Sequence, residues 1–333
     1  MTKVVVASAP GKVVLSGEYA VLDGAPAICM AVDRRARVTL AAAEGAVTQV
    51  RAPGFTDKTG RFESVNGNLR WLNGQAVFRI VGSVWRAANA LPGGARSINL
   101  DTSEFNDKDR RRKIGIGSSA ALTVALCAAV KGSTEAASIM AVAQRAHRDL
   151  QRGAGSGVDI ACSLTGGLIE YRMQGASVTP LNWPDGLSYR LIWTGVPAST
   201  AGKLAKLNAG ISKPSRVRLI NASEDMASAW HGGDAAQIIK NYRDYNEQLR
   251  QFSVDHDLGI FDAGHDELWR AANAVHLTYK PCGAGGGDVG ILMGTDEAAV
   301  NAFASALAAK FSVLECRLTQ AGVMTEETET GTT

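Results

Sequence analysis

From Lys113 to Val130 the chain reads K-I-G-I-G-S-S-A-A-L-T-V-A-L-C-A-A-V, a glycine and serine turn that runs into small and apolar side chains. Gly115 and Gly117 let the backbone approach a bulky anion, and Ser118 and Ser119 can cap a helix starting at about Ala120. A helix buried along its length, with the positive end of its dipole open at such a turn, is a phosphate receptor. Lys12 ends the turn A-P-G-K between two apolar runs, where a cation either faces a ligand or tips out into water. Asp159 follows the glycine-rich R-G-A-G-S-G-V-D. A carboxylate there can ligate Mg²⁺, orient a lysine, accept a proton, or cap the next short helix.

Two other readings of the glycine turn fail on their neighbours. Gly115, Gly117 and Ala120 satisfy the dinucleotide pattern G-x-G-x-x-A, but that pattern needs an apolar strand in front, and D-K-D-R-R-R-K stands there. No lysine follows the last glycine, so it is not a Walker loop. A third glycine loop, T-Y-K-P-C-G-A-G-G-G-D, occupies residues 278–288. Phosphoryl transfer asks mainly for positioning and for neutralisation of developing charge. The turn at 115–119 offers a cradle for nucleotide phosphates, Ser119 and Asp159 are candidate metal ligands, and Lys12 and Lys113 are candidate cations.

These residues need elements to hold them. Strands are expected at 4–7, 13–15, 32–40, 98–103, 189–193, 289–293 and 313–319. Helices are expected at 75–90, from 120 onward, and at 134–150, 215–230, 234–254, 266–275 and 296–310. Falling apolar density and two prolines near 175–186 mark a domain boundary, giving domains at 1–178 and 179–325 and a polar, frayed tail at 326–333. At 333 residues, 46% hydrophobic and 20% charged, the chain has the composition of a two-domain globular protein. A net charge of +3 is too small to argue for nucleic acid or membrane, yet suits an anionic small-molecule substrate. Five scattered cysteines without a C-x-x-C pair suggest neither a disulfide framework nor a zinc site. With no signal-like or membrane-spanning run, the expected compartment is the cytoplasm.

The strings A-P-G-K-V-V-L-S-G-E-Y-A-V-L, K-I-G-I-G-S-S-A-A and K-P-C-G-A-G-G-G-D-V-G-I, in that order, resemble the three signature motifs of the GHMP kinases. G-S-G-V-D at 155–159, W-T-G-V-P-A-S-T at 193–200 and L-G-I-F at 258–261 are closest to the phosphomevalonate kinase branch. The resemblance implies an α+β, two-domain GHMP kinase fold: an N-terminal domain with a left-handed β-α-β unit and a C-terminal ferredoxin-like domain. It implies ATP and Mg²⁺ as cofactors and mevalonate 5-phosphate as acceptor. Lys12, Lys113 and Asp159 then resemble the catalytic residues, with Ser119 and Asp159 at the metal. Gly115, Ile116, Gly117, Ser118, Ser119 and Ala120 resemble the ATP loop. Tyr19, Ser156, Ser199, Cys282, Ala284 and Gly285 resemble the acceptor site.

Two departures stand out. Cys282 replaces the usual serine, exchanging a good hydroxyl donor for a weak thiol. The helix before Gly153 carries His147, Arg148 and Asp149, with no glutamate where a mevalonate kinase places a metal ligand, although Asp149 could substitute. A phosphate acceptor is already anionic at neutral pH and needs cations more than a base, which favours mevalonate 5-phosphate over mevalonate or another hydroxylated metabolite. A catalytically silent sensor is the alternative of another class. The chain is expected to act as a monomer or homodimer.

Overall fold

A strand that passes through a proline and a glycine organises the larger half of the molecule. In the computed structural model, which describes residues 2–66, 68–89, 94–107, 112–151, 153, 155–198, 200–209 and 214–330, β1 (Thr2–Ser16) continues through A-P-G-K. The turn expected from that string is a bulge instead. Pro10 faces Arg35 of the antiparallel partner β2 (Ala27–Ala42), but Gly11 faces Val32, so Asp33 and Arg34 leave the ladder. Proline has no N–H to give, and a bulge is where a strand accommodates it. The kink directs Lys12 towards the glycine turn, and its N–H donates to the Ile116 carbonyl at 2.8 Å.

The sheet around β1 also contains β3 (Val47–Ala52), β4 (Thr56–Val65), β5 (Asn68–Asn73) and, after helix α1 (Arg79–Ala88), β6 (Arg96–Asp101). Helices α2 (Ser118–Lys131), α3 (Ala136–Leu150) and α4 (Val158–Thr165) follow, then β7 (Leu168–Arg172) and β8 (Ser177–Leu181), which extend the sheet from β2. Helix α2 is apolar on every face, and a helix of that kind has to be buried. It lies against β1 and β2 with α1, α3 and α4 around it, and Ala121, Val124, Ala125 and Ala128 are fully buried.

The second sheet holds β9 (Ser188–Trp193), β10 (Thr278–Pro281), β11 (Val289–Gly294) and β12 (Ser312–Leu314), in the order β10-β11-β9-β12 and antiparallel throughout. That order, with helices between β9 and β10 and again between β11 and β12, is the ferredoxin-like arrangement. The first connection carries α5 (Thr200–Ala209), α6 (Pro214–Gly232), α7 (Ala235–Asp255) and α8 (His265–Ala274), and the second carries α9 (Glu297–Leu307). Asp234 and Asp296 cap α7 and α9 by accepting from Gln237 N and Ala299 N. The two halves share one apolar core, in which Val13, Leu15 and Ile28 meet Trp193, Trp230, Tyr242 and Ile291.

Two expectations about the chain's end are corrected. Residues 324–330 are not frayed: β13 (Met324–Thr330) pairs antiparallel with β1, from Ser8↔Met324 to Thr2↔Thr330. This strand lacks an apolar anchor and is held by the backbone ladder along a sheet edge. The strand expected at 313–319 is only Ser312–Leu314.

Candidate active site

Each glycine of the turn at 115–117 makes room for a side chain from elsewhere. Gly117 has φ of +85°, and a Cβ there would come within 2.9 Å of Lys12 Cγ and 3.0 Å of Cε. Gly115 has φ of +81°, and its Cβ would fall 2.7 Å from Asp288 Oδ1 and nearer still to Cγ. The aliphatic stem of Lys12 therefore lies flat on one glycine and the Asp288 carboxyl on the other. We expect Gly115→Ala to weaken nucleotide binding about tenfold or more, since an L-residue in this region costs about 1–3 kcal/mol before the clash is counted. Titration with a non-hydrolysable ATP analogue measures this, and unaltered affinity would refute it.

Helix α2 begins two residues earlier than expected, at Ser118, and neither serine caps it. Gly117 is the N-cap, in the left-handed region, with no side-chain hydrogen bond. The N–H groups of the first turn thus meet no side-chain cap, as an anion-binding helix end requires. Ser119 is exposed, Ser118 half-buried, and Ile116 and Ala120 buried.

Below the turn, Lys12 Nζ and Asp159 Oδ1 stand 3.1 Å apart, with side chains 10% and 30% exposed. Burial alone would lower the pKa of Lys12, but the charge and hydrogen bond of Asp159 outweigh it, and the net shift is upward. Asp159 lies in the first turn of α4, whose N-cap is Gly157. The preceding turn is fixed from below: Tyr171 donates from its hydroxyl to the Ser156 carbonyl at 2.9 Å and accepts from Gln144 Nε2 at 3.3 Å.

Lys12 and Asp159 line an open cleft with Tyr19, Ser156, Gly283 and Ala284. Tyr19, itself at φ of +62°, donates from its hydroxyl to the Ala284 carbonyl at 2.7 Å, closing the first motif onto the third. Of the expected acceptor residues, Tyr19, Ser156 and Ala284 are therefore together. Cys282 and Gly285 are buried behind that wall. Burial pushes the Cys282 thiol up to about 11. Gly285 turns its carbonyl to Lys203 Nζ at 2.8 Å. Ser199 and the Arg110 and Arg111 part of the basic cluster lie outside the described residues.

Lys113 is exposed, with Nζ 5.1 Å from the ring centroid of Phe55, and is not part of the cleft wall. Asp149 does not stand in for a metal-binding glutamate, because it accepts from Ser83 Oγ at 2.6 Å and Arg86 Nη2 at 2.7 Å on the far side of α3.

Several contributors escaped the sequence reading. Asp288 accepts from Ala198 N at 3.2 Å, and burial holds its carboxyl above the ordinary range against that bond and the charges of Lys12, Lys113 and Lys203. Glu18 and Lys280 form a fully buried ion pair, 1% and 0% exposed. Tyr245 donates to the other Glu18 oxygen at 2.7 Å and accepts from Gly17 N at 2.8 Å. The available signal was a charged residue inside each motif, flanked by residues that had to be buried.

Residues 80–167 match the family described as GHMP kinases N terminal domain. A phosphomevalonate kinase of Streptomyces sp. (strain CL190) is 31% identical over 87% of this chain and 90% of its own. A mevalonate kinase of Mus musculus is 27% identical over 92% and 91%. Among solved structures, Streptococcus pneumoniae phosphomevalonate kinase in complex with phosphomevalonate and AMPPNP superimposes with a TM-score of 0.78 at 17% identity, covering 94% of this chain and 99% of that one. At that identity the likeness speaks for the fold.

Proposed function

The chain belongs to the GHMP kinase family, and on that premise we propose that it transfers the γ-phosphoryl group of ATP to mevalonate 5-phosphate, releasing ADP and mevalonate 5-diphosphate. It is a phosphotransferase. The reading rests on Lys12 and Asp159, which meet at the wall of the cleft beneath the glycine turn. An oxygen of the acceptor phosphate attacks the γ-phosphorus, the bond from that phosphorus to the β,γ-bridging oxygen breaks, and ADP leaves with the electron pair. The acceptor is already an anion at neutral pH, so the site has to supply cations. Lys12 supplies one in a partly buried setting, where a charge acts more strongly than in water. Lys113 supplies a second only by leaving the face of Phe55.

Among the described residues no group of three or more His, Cys, Asp or Glu side chains is arranged to hold a metal. The Asp159 carboxylate and the exposed Ser119 hydroxyl suit Mg²⁺, which takes one or two protein oxygens and completes its shell with water and substrate phosphates. Bound there it would neutralise charge on the β- and γ-phosphates. No described helix is long and apolar enough to cross a membrane. A cytoplasmic enzyme acting as a monomer or homodimer is part of the same proposal.

Asp159 favours a second reading, since a partly exposed carboxylate on the cleft wall could also orient an alcohol, as a mevalonate acceptor requires. Pure protein incubated with ATP and mevalonate 5-phosphate, mevalonate, homoserine or galactose, with ADP release followed, separates the readings. We expect kcat/KM for mevalonate 5-phosphate to exceed that for mevalonate by about tenfold or more, the factor that 1.4 kcal/mol represents. We also expect turnover to stop with EDTA and return with Mg²⁺. Mevalonate as the better substrate would reverse the assignment, and nucleotide binding without ADP from any acceptor would indicate a silent sensor.

A further inference from the structure

The third glycine loop, residues 283–287, is held at every residue although all but Ala284 are glycine. It begins on the cleft wall, at Gly283 and Ala284, and runs into Asp288. The Gly283 N–H donates to Glu18 Oε1 at 3.3 Å, and the Ala284 carbonyl accepts from Tyr19. The Gly285 carbonyl accepts from Lys203 Nζ at 2.8 Å, the Gly286 N–H donates to the Ile260 carbonyl at 2.7 Å, and the Gly287 carbonyl accepts from His265 Nε2 at 2.9 Å. Space is filled as well. A Cβ on Gly285 would stand 2.6 Å from the Ile260 carbonyl oxygen, and one on Gly287 would stand 2.5 Å from that of Val196. Glycine ordinarily loosens a loop, but here it admits close neighbours, and the loop is a strut.

Asp288 is the end of the strut that meets the nucleotide turn. Its φ of +57° lies in a region that Asp and Asn enter more readily than most side chains. Its N–H donates to the Val196 carbonyl at 2.7 Å and its carbonyl accepts from Thr194 N at 3.0 Å, so the backbone is held without help from the side chain. The carboxyl reaches elsewhere: Oδ1 accepts from Ala198 N at 3.2 Å and occupies the space where a Gly115 Cβ would be. The charges of Lys12, Lys113 and Lys203 also reach it, so cations from three segments converge on one carboxyl.

We propose that Asp288 is a positioning residue for phosphoryl transfer, whose carboxyl wedges the third glycine loop against Gly115 and so fixes the cleft wall at Gly283 and Ala284 relative to the nucleotide turn. This deepens the function proposed above and rests on it. Transfer needs the reacting atoms aligned at about 3–3.5 Å, so a loosened strut should slow the reaction more than it weakens either ligand.

The test compares Asp288→Gly, which removes the wedge at a φ that glycine accepts, with Asp288→Asn, which keeps its shape and its Oδ1 acceptor but not its charge. Turnover of ATP and mevalonate 5-phosphate is expressed per nucleotide site, with sites counted by titration with a non-hydrolysable ATP analogue. The Gly variant should lose about tenfold or more in kcat while KM for each substrate stays within about threefold, because misplaced reactants bind nearly as well and react more slowly. Asn should return kcat to within about threefold of wild type, since it fills the same space. Asp288→Ser, which keeps a Cβ but stops short of Ala198, should resemble Gly. It separates loss of the wedge from a loosened backbone, and it takes the place of Gly if that variant does not fold. A purely structural role would lower the number of nucleotide sites or the thermal midpoint and leave turnover per site unchanged. That result, an acceptor KM that rises as far as kcat falls, or Asn no better than Gly, would each overturn the proposal. An active wild type with an equally active Gly variant removes this inference alone; a wild type that binds the analogue but releases no ADP with mevalonate 5-phosphate removes the function reading and this with it.

Discussion

Lys12→Met is expected to bind nucleotide normally and to turn over about a hundredfold or more slowly at saturating substrates, because removing one preorganised charge from a dry site costs about 3–4 kcal/mol of transition-state stabilisation. Lys12 has little freedom to be anything else. Its backbone is tied to Ile116, its stem lies on Gly117, and its ammonium meets Asp159. For the same reason Lys12→Arg should fail to rescue, since a planar fork needs room that the chain above Gly117 does not leave. Asp159→Asn should also lower kcat, and the double variant Lys12→Met with Asp159→Asn should lose less than the sum of the two, as residues that act as a unit do. Single-turnover rates with ATP and mevalonate 5-phosphate provide the measurement. Wild-type turnover in Lys12→Met, or strict additivity in the double variant, would remove the pair from the mechanism.

What could be read beforehand follows from which residue types have only one use. Glycines spaced by one residue before an apolar run mark a close approach to backbone, and so the turn at 115–117 and the buried helix behind it were legible. Their partners were not. That Gly115 lies under Asp288 and Gly117 under Lys12 depends on how residues 173 and 105 positions away in the chain return to one place, and no local pattern encodes it. The A-P-G-K string predicts a turn because proline and glycine usually punctuate a strand; here β2 takes up the irregularity and the strand survives. The polar segment at 324–330 offered no apolar signal, since strand pairing at a sheet edge needs only backbone. Lys113 stands directly before the glycine turn, and its ammonium lies over Phe55, off the wall that Lys12 and Asp159 share, while its charge still reaches Asp288.

The buried pair behind the cleft is the clearest case of a feature that sequence alone conceals, and it carries the largest expected effect on stability. Glu18 follows the end of β1 and Lys280 stands in β10, so their ion pair joins the first sheet to the second with no exposure to solvent. Lys280→Met leaves a carboxylate in the interior with Tyr245 and, at 3.3 Å, the Gly283 N–H as its remaining donors. Breaking a buried pair from one side costs about 3–5 kcal/mol. For a chain of this size that corresponds to a fall in thermal midpoint of about 4–7 °C. Replacing both partners, as in Glu18→Gln with Lys280→Met, removes the stranded charge and should recover much of the loss, which a purely steric account of Lys280 would not predict. The same variant should reach the site, because Gly283 and Ala284 on the cleft wall directly follow the strand that Lys280 anchors, and Tyr19 beside Glu18 holds Ala284. KM for the acceptor should therefore rise more than KM for ATP. A Lys280→Met protein that melts within about 1 °C of wild type, less than 1 kcal/mol by the same scaling, would show that the pair contributes nothing to holding the two sheets together.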